Sequence, residues 1–218
     1  VASRPDTDLW AIRPLLSVKY LIQREGGDSF VGEDGLTKMT GYNYLHNSSG
    51  FDVYENSNFI GYGFSYDAYM TYEECEQKDE PDRAKMMLRA ILLDSEQIEK
   101  YGYMFDDLET YSMKEGNSGS LAYAELEREC EKRNATAAES FEAGNNSFKA
   151  VVNREKDTLV FFSVPYDEGW TAYVNGEKTE VEKVNVGFMA VAVGEGTSEI
   201  VFKYETPGLS LGGVITVI

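Results

Sequence analysis

Histidine is nearly missing from this chain. The single imidazole, His46, excludes a zinc site built on two or three histidines and leaves a Ser-His-Asp triad only one possible base. His46 stands beside Asn47-Ser48-Ser49-Gly50, which is turn chemistry, and reads as a solvated turn residue. Cysteine is scarce too. Cys75 and Cys130 are too few for a disulfide scaffold and have no CxxC spacing for zinc or redox work. They either pair, closing a loop of about fifty residues for on the order of 4 kcal/mol, or stay apart as two buried thiols. No apolar run reaches the roughly 20 residues of a membrane span. A phosphate-binding glycine loop with lysine, a dinucleotide fingerprint and a nucleophile elbow are all absent.

Basic charge is short as well. Lysine and arginine total 20 against 38 acidic residues, and the net charge of −18 opposes a phosphate backbone within a Debye length of about 10 Å, so nucleic acid is not an expected partner. Carboxylates are plentiful but unpaired by pattern. Asp167 and Glu168 are neighbours that point different ways, a poor acid and base pair. Gly32-Glu33-Asp34-Gly35 lacks the alternating Asp and distal Glu of a calcium loop and reads as a surface hairpin. No catalytic residue, metal ligand set or cofactor is expected in this stretch of chain.

What is present is sheet. Phe161 to Gly176 reads as two short apolar strands around a Pro165 corner, closed by Asn175-Gly176, the dipeptide that most favours a tight hairpin because both residues tolerate positive φ. The spacing predicts further strands at Phe148 to Val152, Thr158 to Val164, Trp170 to Val174, Thr179 to Val184, Gly187 to Val193 and Glu199 to Tyr204. Near the start, Leu15 to Ile22 is apolar on both faces and predicts a central strand; Phe51 to Asn56 alternates, and Phe59 to Tyr72 fits one or two more. Between them the period changes. Pro81 suits a first helical turn, with Ala84, Met87, Leu88, Ile91 and Leu92 as one stripe. Asp94 with Gln97 makes a capping box, Gly102 a stop, and Ser120 opens a charged helix to about Arg133 with Tyr123, Leu126 and Cys130 on one side. Asn134 to Asn146 reads as a linker. The expected fold is mainly β (α+β overall): a single β-sandwich or jelly-roll-like domain over 1–218, with β segments at about 9–72 and 147–206, a helical insertion at about 80–133 and a tail at 207–218.

The ordered set Leu15 to Ile22, Val53-Tyr54-Glu55-Asn56, Phe162-Ser163-Val164-Pro165-Tyr166-Asp167-Glu168-Gly169-Trp170, Asn175-Gly176, Gly187 to Val191 and Tyr204-Glu205-Thr206-Pro207-Gly208-Leu209 resembles the large C-terminal extracytoplasmic domain of the bacterial YfhO-type membrane proteins. One local departure is that Asn58-Phe59-Ile60-Gly61 stands where the family pattern has a Leu-Pro pair. The resemblance implies a cell-membrane protein with this domain on the extracytoplasmic side, similar to membrane glycosyltransferases that take sugars from a polyprenyl-phosphate carrier and decorate lipoteichoic acid in Gram-positive bacteria. It implies that the domain is not catalytic alone but positions a cell-envelope glycan or teichoic-acid acceptor over its own transmembrane region; the alternative is a non-catalytic carbohydrate-binding or structural interaction module. Candidate ligand-binding residues are Tyr54 and Asn56 in the first motif and Tyr166, Asp167 and Trp170 in the second, where an aromatic face beside a carboxylate suits a pyranose. Trp170 has a second reading as core, because Ala172 and Val174 follow on its face. The apolar stretch Leu209 to Ile218 is expected to lead toward the membrane, with the segment near Asp6 to Leu9 just after a preceding helix.

Overall fold

A computed structural model describes residues 9–27, 37–116 and 121–208. Expectations for Gly32 to Gly35, the Ser120 cap, the start before Leu9 and the tail from Leu209 lie outside the described residues.

The chain opens with a short helix α1 (Ile12–Leu15), then β1 (Tyr20–Arg24), β2 (Tyr42–Ser48) and β3 (Phe51–Asn56), which form an antiparallel sheet of order β1-β3-β2. The central strand expected over Leu15 to Ile22 is therefore corrected. Ser17 takes φ 55 and the Val18 N–H returns to the Arg13 carbonyl, so Leu15 ends a helix while Leu21 lies on an edge strand packed on another small core. His46 is likewise on β2, opposite Val53, not in a turn, although it is exposed.

Next come β4 (Phe64–Ser65), β5 (Ala68–Thr71), α2 (Tyr72–Glu76), α3 (Glu80–Arg89) and β6 (Ile91–Leu93). Asp79 caps α3 through the Asp82 N–H, with Pro81 in the first turn. The helix stops at Arg89, because Ala90 is extended, so Ile91 and Leu92 belong to a strand and not to the helical stripe. β6 pairs parallel with β5, and its wholly buried Ile-Leu-Leu run is what a covered parallel strand requires. Then α4 (Ser95–Tyr101) starts on the Asp94 and Gln97 capping box and runs into a 3-10 turn through Gly102, followed by β7 (Asp106–Asp107), α5 (Leu108–Lys114) and α6 (Tyr123–Ala135).

The rest is sandwich: β8 (Ser140–Gly144), β9 (Ser147–Arg154), β10 (Thr158–Pro165), β11 (Trp170–Val174), β12 (Glu177–Thr179), β13 (Glu182–Val184), β14 (Phe188–Val193) and β15 (Gly196–Tyr204). Asn134 to Asn146 is thus the end of α6 and the edge strand β8, not a linker. Asn175 and Gly176 take φ 53 and 84, closing the β11–β12 hairpin. A five-stranded sheet β12-β11-β15-β9-β8 faces a four-stranded sheet β13-β14-β10-β4. Of the N-terminal strands only β4 joins the sandwich, against Val160 and Phe161 of β10.

The four-stranded sheet is buried on both faces, which fixes the layering. On β10, Val160 and Phe162 point to the other sheet, while Leu159 and Phe161 point to the helices. On β14, Met189 and Val191 take the first side and Ala190 the second. The result is a mainly β, α+β sandwich with helices on one side. Both cysteines are buried and free, in different cores, which settles the pairing question against a disulfide.

Two polar clamps hold the helices to the sandwich. At the turn after β13, Asn185 accepts from the Leu92 N–H at 2.7 Å and donates to the Tyr66 hydroxyl at 3.1 Å. Glu182 accepts from the Tyr101 hydroxyl at 2.6 Å and from Gln97 Nε2 and Lys100 Nζ at 3.0 Å each. Burial alone would raise the Glu182 pKa, but these hydrogen bonds and the Lys100 charge outweigh it and hold the carboxyl below its ordinary 4.5. A lowered folded pKa stabilises above the unfolded value and is lost as pH falls through the folded one. Thermal melts of Glu182→Gln below pH 4.5 should therefore fall less steeply with acid than those of the parent; an unchanged slope would remove Glu182 from the acid response.

Candidate functional site

The sequence-derived candidates fall in two places. Tyr54 is buried against Met39 and Tyr42. Asn56 is also buried, donating to the Val18 carbonyl at 3.0 Å and accepting from the Asn58 N–H at 3.0 Å, so both side chains hold the first sheet together. Tyr166, Asp167 and Trp170 form the corner between β10 and β11. Asp167 is exposed and accepts from the Gly169 N–H at 2.8 Å, making the turn itself. A Cβ on Gly169 would run into the Glu205 carbonyl oxygen, so the corner needs glycine there. Trp170 packs edge-on to Phe148 at 5.5 Å and Phe202 at 6.1 Å, closing one end of the sandwich core. Tyr166 is half-buried, with Lys183 Nζ 6.0 Å from its ring.

A better formed site lies where the first sheet meets the end of α6. It is a cleft of about 360 Å³, within the roughly 300–1,000 Å³ of small-ligand pockets. Period-two alternation on β3 buries Tyr54 and Asn56 and turns Glu55 outward, so Asn56 forms part of the floor while Glu55 lines the wall. Asn43 and Tyr44 come from β2, Lys19 from the segment before β1, Phe59 from the loop after β3, and Asn134 from α6. Tyr44 is 60% exposed and held edge-on to Tyr54 at 5.7 Å, so a free ring face stands on a fixed support.

The cleft is electrically balanced. Lys19 Nζ sits 3.5 Å from Glu55 Oε1 and 5.7 Å from the Phe59 ring centroid; hydrogen bonding with Tyr20 first and the Glu55 charge after it raise the lysine pKa. Asn134 Oδ1 is taken by the Gly61 N–H at 3.0 Å, which leaves its amide N–H groups to offer. Aromatic faces, amides and one neutralised ion pair suit a neutral hydroxylated ligand better than a polyanion. Among the described residues the cleft has one carboxylate, Glu55, tied to Lys19, with no second acid opposite it.

A second cleft of about 400 Å³ beside Arg154 differs in kind. Arg154 donates to Ser65 Oγ at 2.9 Å, the Gly63 carbonyl at 2.7 Å and the Asn153 carbonyl at 2.9 Å, clasping β9 to the region of β4. Burial pulls its pKa down to about 10. Its donors are engaged in holding the backbone. Burial also pushes the Cys130 thiol up to about 12, so it is no nucleophile. Among the described residues no group of three His, Cys, Asp or Glu side chains is placed to hold a metal ion.

Residues 107–216, from the end of β7 through every sandwich strand except β4, match the family model described as "Bacterial membrane protein YfhO". The chain belongs to the YfhO family. It is similar to the "Uncharacterized protein YfhO" of Bacillus subtilis (strain 168), with 22% identity over 112 residues, which is 51% of this chain and 12% of that protein. The chain thus spans at most a modest part of its YfhO relative's length. Among the described residues no helix is long and apolar enough to cross a membrane. Asn134 is the one cleft residue inside the matched span; Lys19, Asn43, Tyr44, Glu55 and Phe59 precede it. Of the sequence-derived candidates Asn56 lies in the cleft floor, whereas Lys19, Asn43, Tyr44, Glu55, Phe59 and Asn134 were missed; the signal near them was the Tyr54-Glu55-Asn56 motif.

Proposed function

We propose that this chain is an outward-facing accessory domain of a polytopic YfhO-type membrane protein, and that it holds a neutral sugar of a cell-envelope glycan or teichoic-acid acceptor near the membrane site of a glycosyltransferase. The observation that carries this reading is the balanced, amide- and aromatic-lined cleft around Tyr44 on a chain of net charge −18. Such a chain repels a polyphosphate, so recognition through sugar hydroxyls avoids the conflict that teichoic acid otherwise presents. The domain supplies positioning, and the transfer chemistry belongs to other parts of the protein. A binding module with no part in transfer would use the same cleft, and the two differ in whether Tyr44→Ala in the full-length protein lowers sugar incorporation into the envelope.

Binding itself is checked by NMR titration with glucose, galactose, N-acetylglucosamine and glycerol phosphate. At least one neutral sugar should shift the amides of Asn43, Glu55 and Phe59 saturably, and glycerol phosphate should not. Tyr44→Ala should weaken that binding by about tenfold, the equivalent of ~1.4 kcal/mol and near the upper end of an aromatic contact. Shifts confined to Tyr166, Asp167 and Trp170 would move the site to the β10–β11 corner.

A further inference from the structure

The first sheet has one face too many. Its inner face, with Leu21, Tyr42 and Tyr54, packs on Met39. Its outer face is apolar and open: Ile22 pairs across from Val53, and Tyr20, Leu45 and Phe51 surround them along a groove of about 430 Å³. Tyr20 is 46% exposed, Ile22 60%, Leu45 47% and Phe51 48%. Among the described residues, four of the nine exposed large hydrophobics (Tyr20, Ile22, Leu45, Phe51) line this one groove, so they form a patch and not the usual scatter. The bulge between Tyr44 and His46 is what turns Leu45 onto this side.

Charge is cleared from the same face. Its titratable groups along the strands are Arg24, His46 and Glu55, and Glu55 is paired with Lys19; Asp52 alternates to the other side, where it accepts from Asn47 Nδ2 at 2.9 Å. On a chain of net charge −18, a face with no unpaired carboxylate among the described residues is a departure from the rest of the surface.

We propose that this face rests on the lipid bilayer, with Tyr20, Ile22, Leu45 and Phe51 entering the boundary between headgroups and acyl chains. The family is one of membrane proteins, and the Bacillus subtilis relative extends far beyond the 12% matched here, so a membrane lies within tether range of the domain. An acidic protein meets a bilayer most readily through a face whose carboxylates are few and paired, as Glu55 is with Lys19. Tyrosine beside aliphatic side chains is the composition of such interfacial surfaces. Leu45 lines both this groove and the sugar cleft, so docking would hold that cleft at headgroup height. The docking itself does not depend on the cleft binding a sugar.

Flotation of the purified chain with phosphatidylcholine vesicles tests this. The chain should float with the vesicles. The double variant Ile22→Ser with Phe51→Ser should bind about tenfold less or weaker still, since apolar burial is the main source of such binding. Tyr103→Ser, at a 74% exposed site on another element, should bind like the parent. Circular dichroism confirms that the double variant is folded, and Leu45→Ser serves in its place if it is not. A parent that stays with the protein fraction, or a folded variant that floats equally well, overturns the proposal. So does a parent that sediments as a dimer which the double substitution dissolves, because the face would then belong to a second copy of the chain.

Discussion

Arg133→Met should lower the free energy of unfolding by about 3–5 kcal/mol in urea titrations, the range for removing one partner of a buried ion pair. Arg133 is 1% exposed, and its guanidinium donates to the Ser65 carbonyl at 2.9 Å, Glu129 Oε2 at 3.1 Å and Asp67 Oδ2 at 3.4 Å. It also lies 5.0 Å from the centre of the Tyr66 ring. Removing it leaves Glu129, itself 2% exposed, as a buried charge whose remaining hydrogen-bond partner among the described residues is the Tyr111 hydroxyl at 2.9 Å. The double replacement of Glu129 and Arg133 by methionine should recover part of the loss, because no lone charge then remains inside. A loss below about 1 kcal/mol for the single change is the value of an exposed pair and would contradict this burial.

Phe161→Ala and Phe162→Ala should each cost about 3–5 kcal/mol, and each should lower one common unfolding transition. The two rings are neighbours in sequence on opposite faces of β10. Phe161 meets Phe64 at 4.9 Å and Phe188 at 5.8 Å on the helical side, whereas Phe162 meets Phe148 at 5.2 Å and Phe202 at 5.3 Å inside the sandwich. One strand thus belongs to both cores. If Phe161→Ala melted the helices early while the sandwich kept its parent midpoint, calorimetry would show two transitions and the shared-strand account would fail.

The sandwich was legible because β9 and β15 alternate, β10 and β14 are short apolar runs, and the hairpin carries Asn175-Gly176. Both inner faces obey the same period, and the family resemblance rested on these same residues. Elsewhere one apolar run covered two elements. Leu15 to Ile22 looks continuous until Ser17 adopts φ 55, which no composition rule announces. Ile91 and Leu92 fall at helical spacing from Ala84 by coincidence; their burial in a parallel strand depends on β5, where they pair with Tyr69 and Met70. β8 escaped notice because Phe141 is its one large apolar residue, stacked on Tyr62 at 4.4 Å.

The cleft was less legible than the fold. Lys19, Tyr44, Glu55 and Asn134 come from separate segments, and no spacing connects them. The Tyr54-Glu55-Asn56 motif pointed to the right strand, and alternation divides the roles: Glu55 lines the cleft wall, Asn56 forms part of its floor while bonding the Val18 carbonyl, and Tyr54 is buried in the small core. At the Trp170 corner, the same aromatic and carboxylate pattern that suits a sugar also builds a tight turn closing a core.

Sidedness is the claim on which the proposed role depends most. Lys178→Cys, on the exposed β11–β12 hairpin, should react in the full-length protein with a membrane-impermeant maleimide applied to intact cells. Cys75 and Cys130 add little background from this domain, because burial raises both thiol pKa values and shields them. The account predicts labelling of Lys178→Cys above the parent before any permeabilisation; labelling that appears only after the membrane is opened would contradict it.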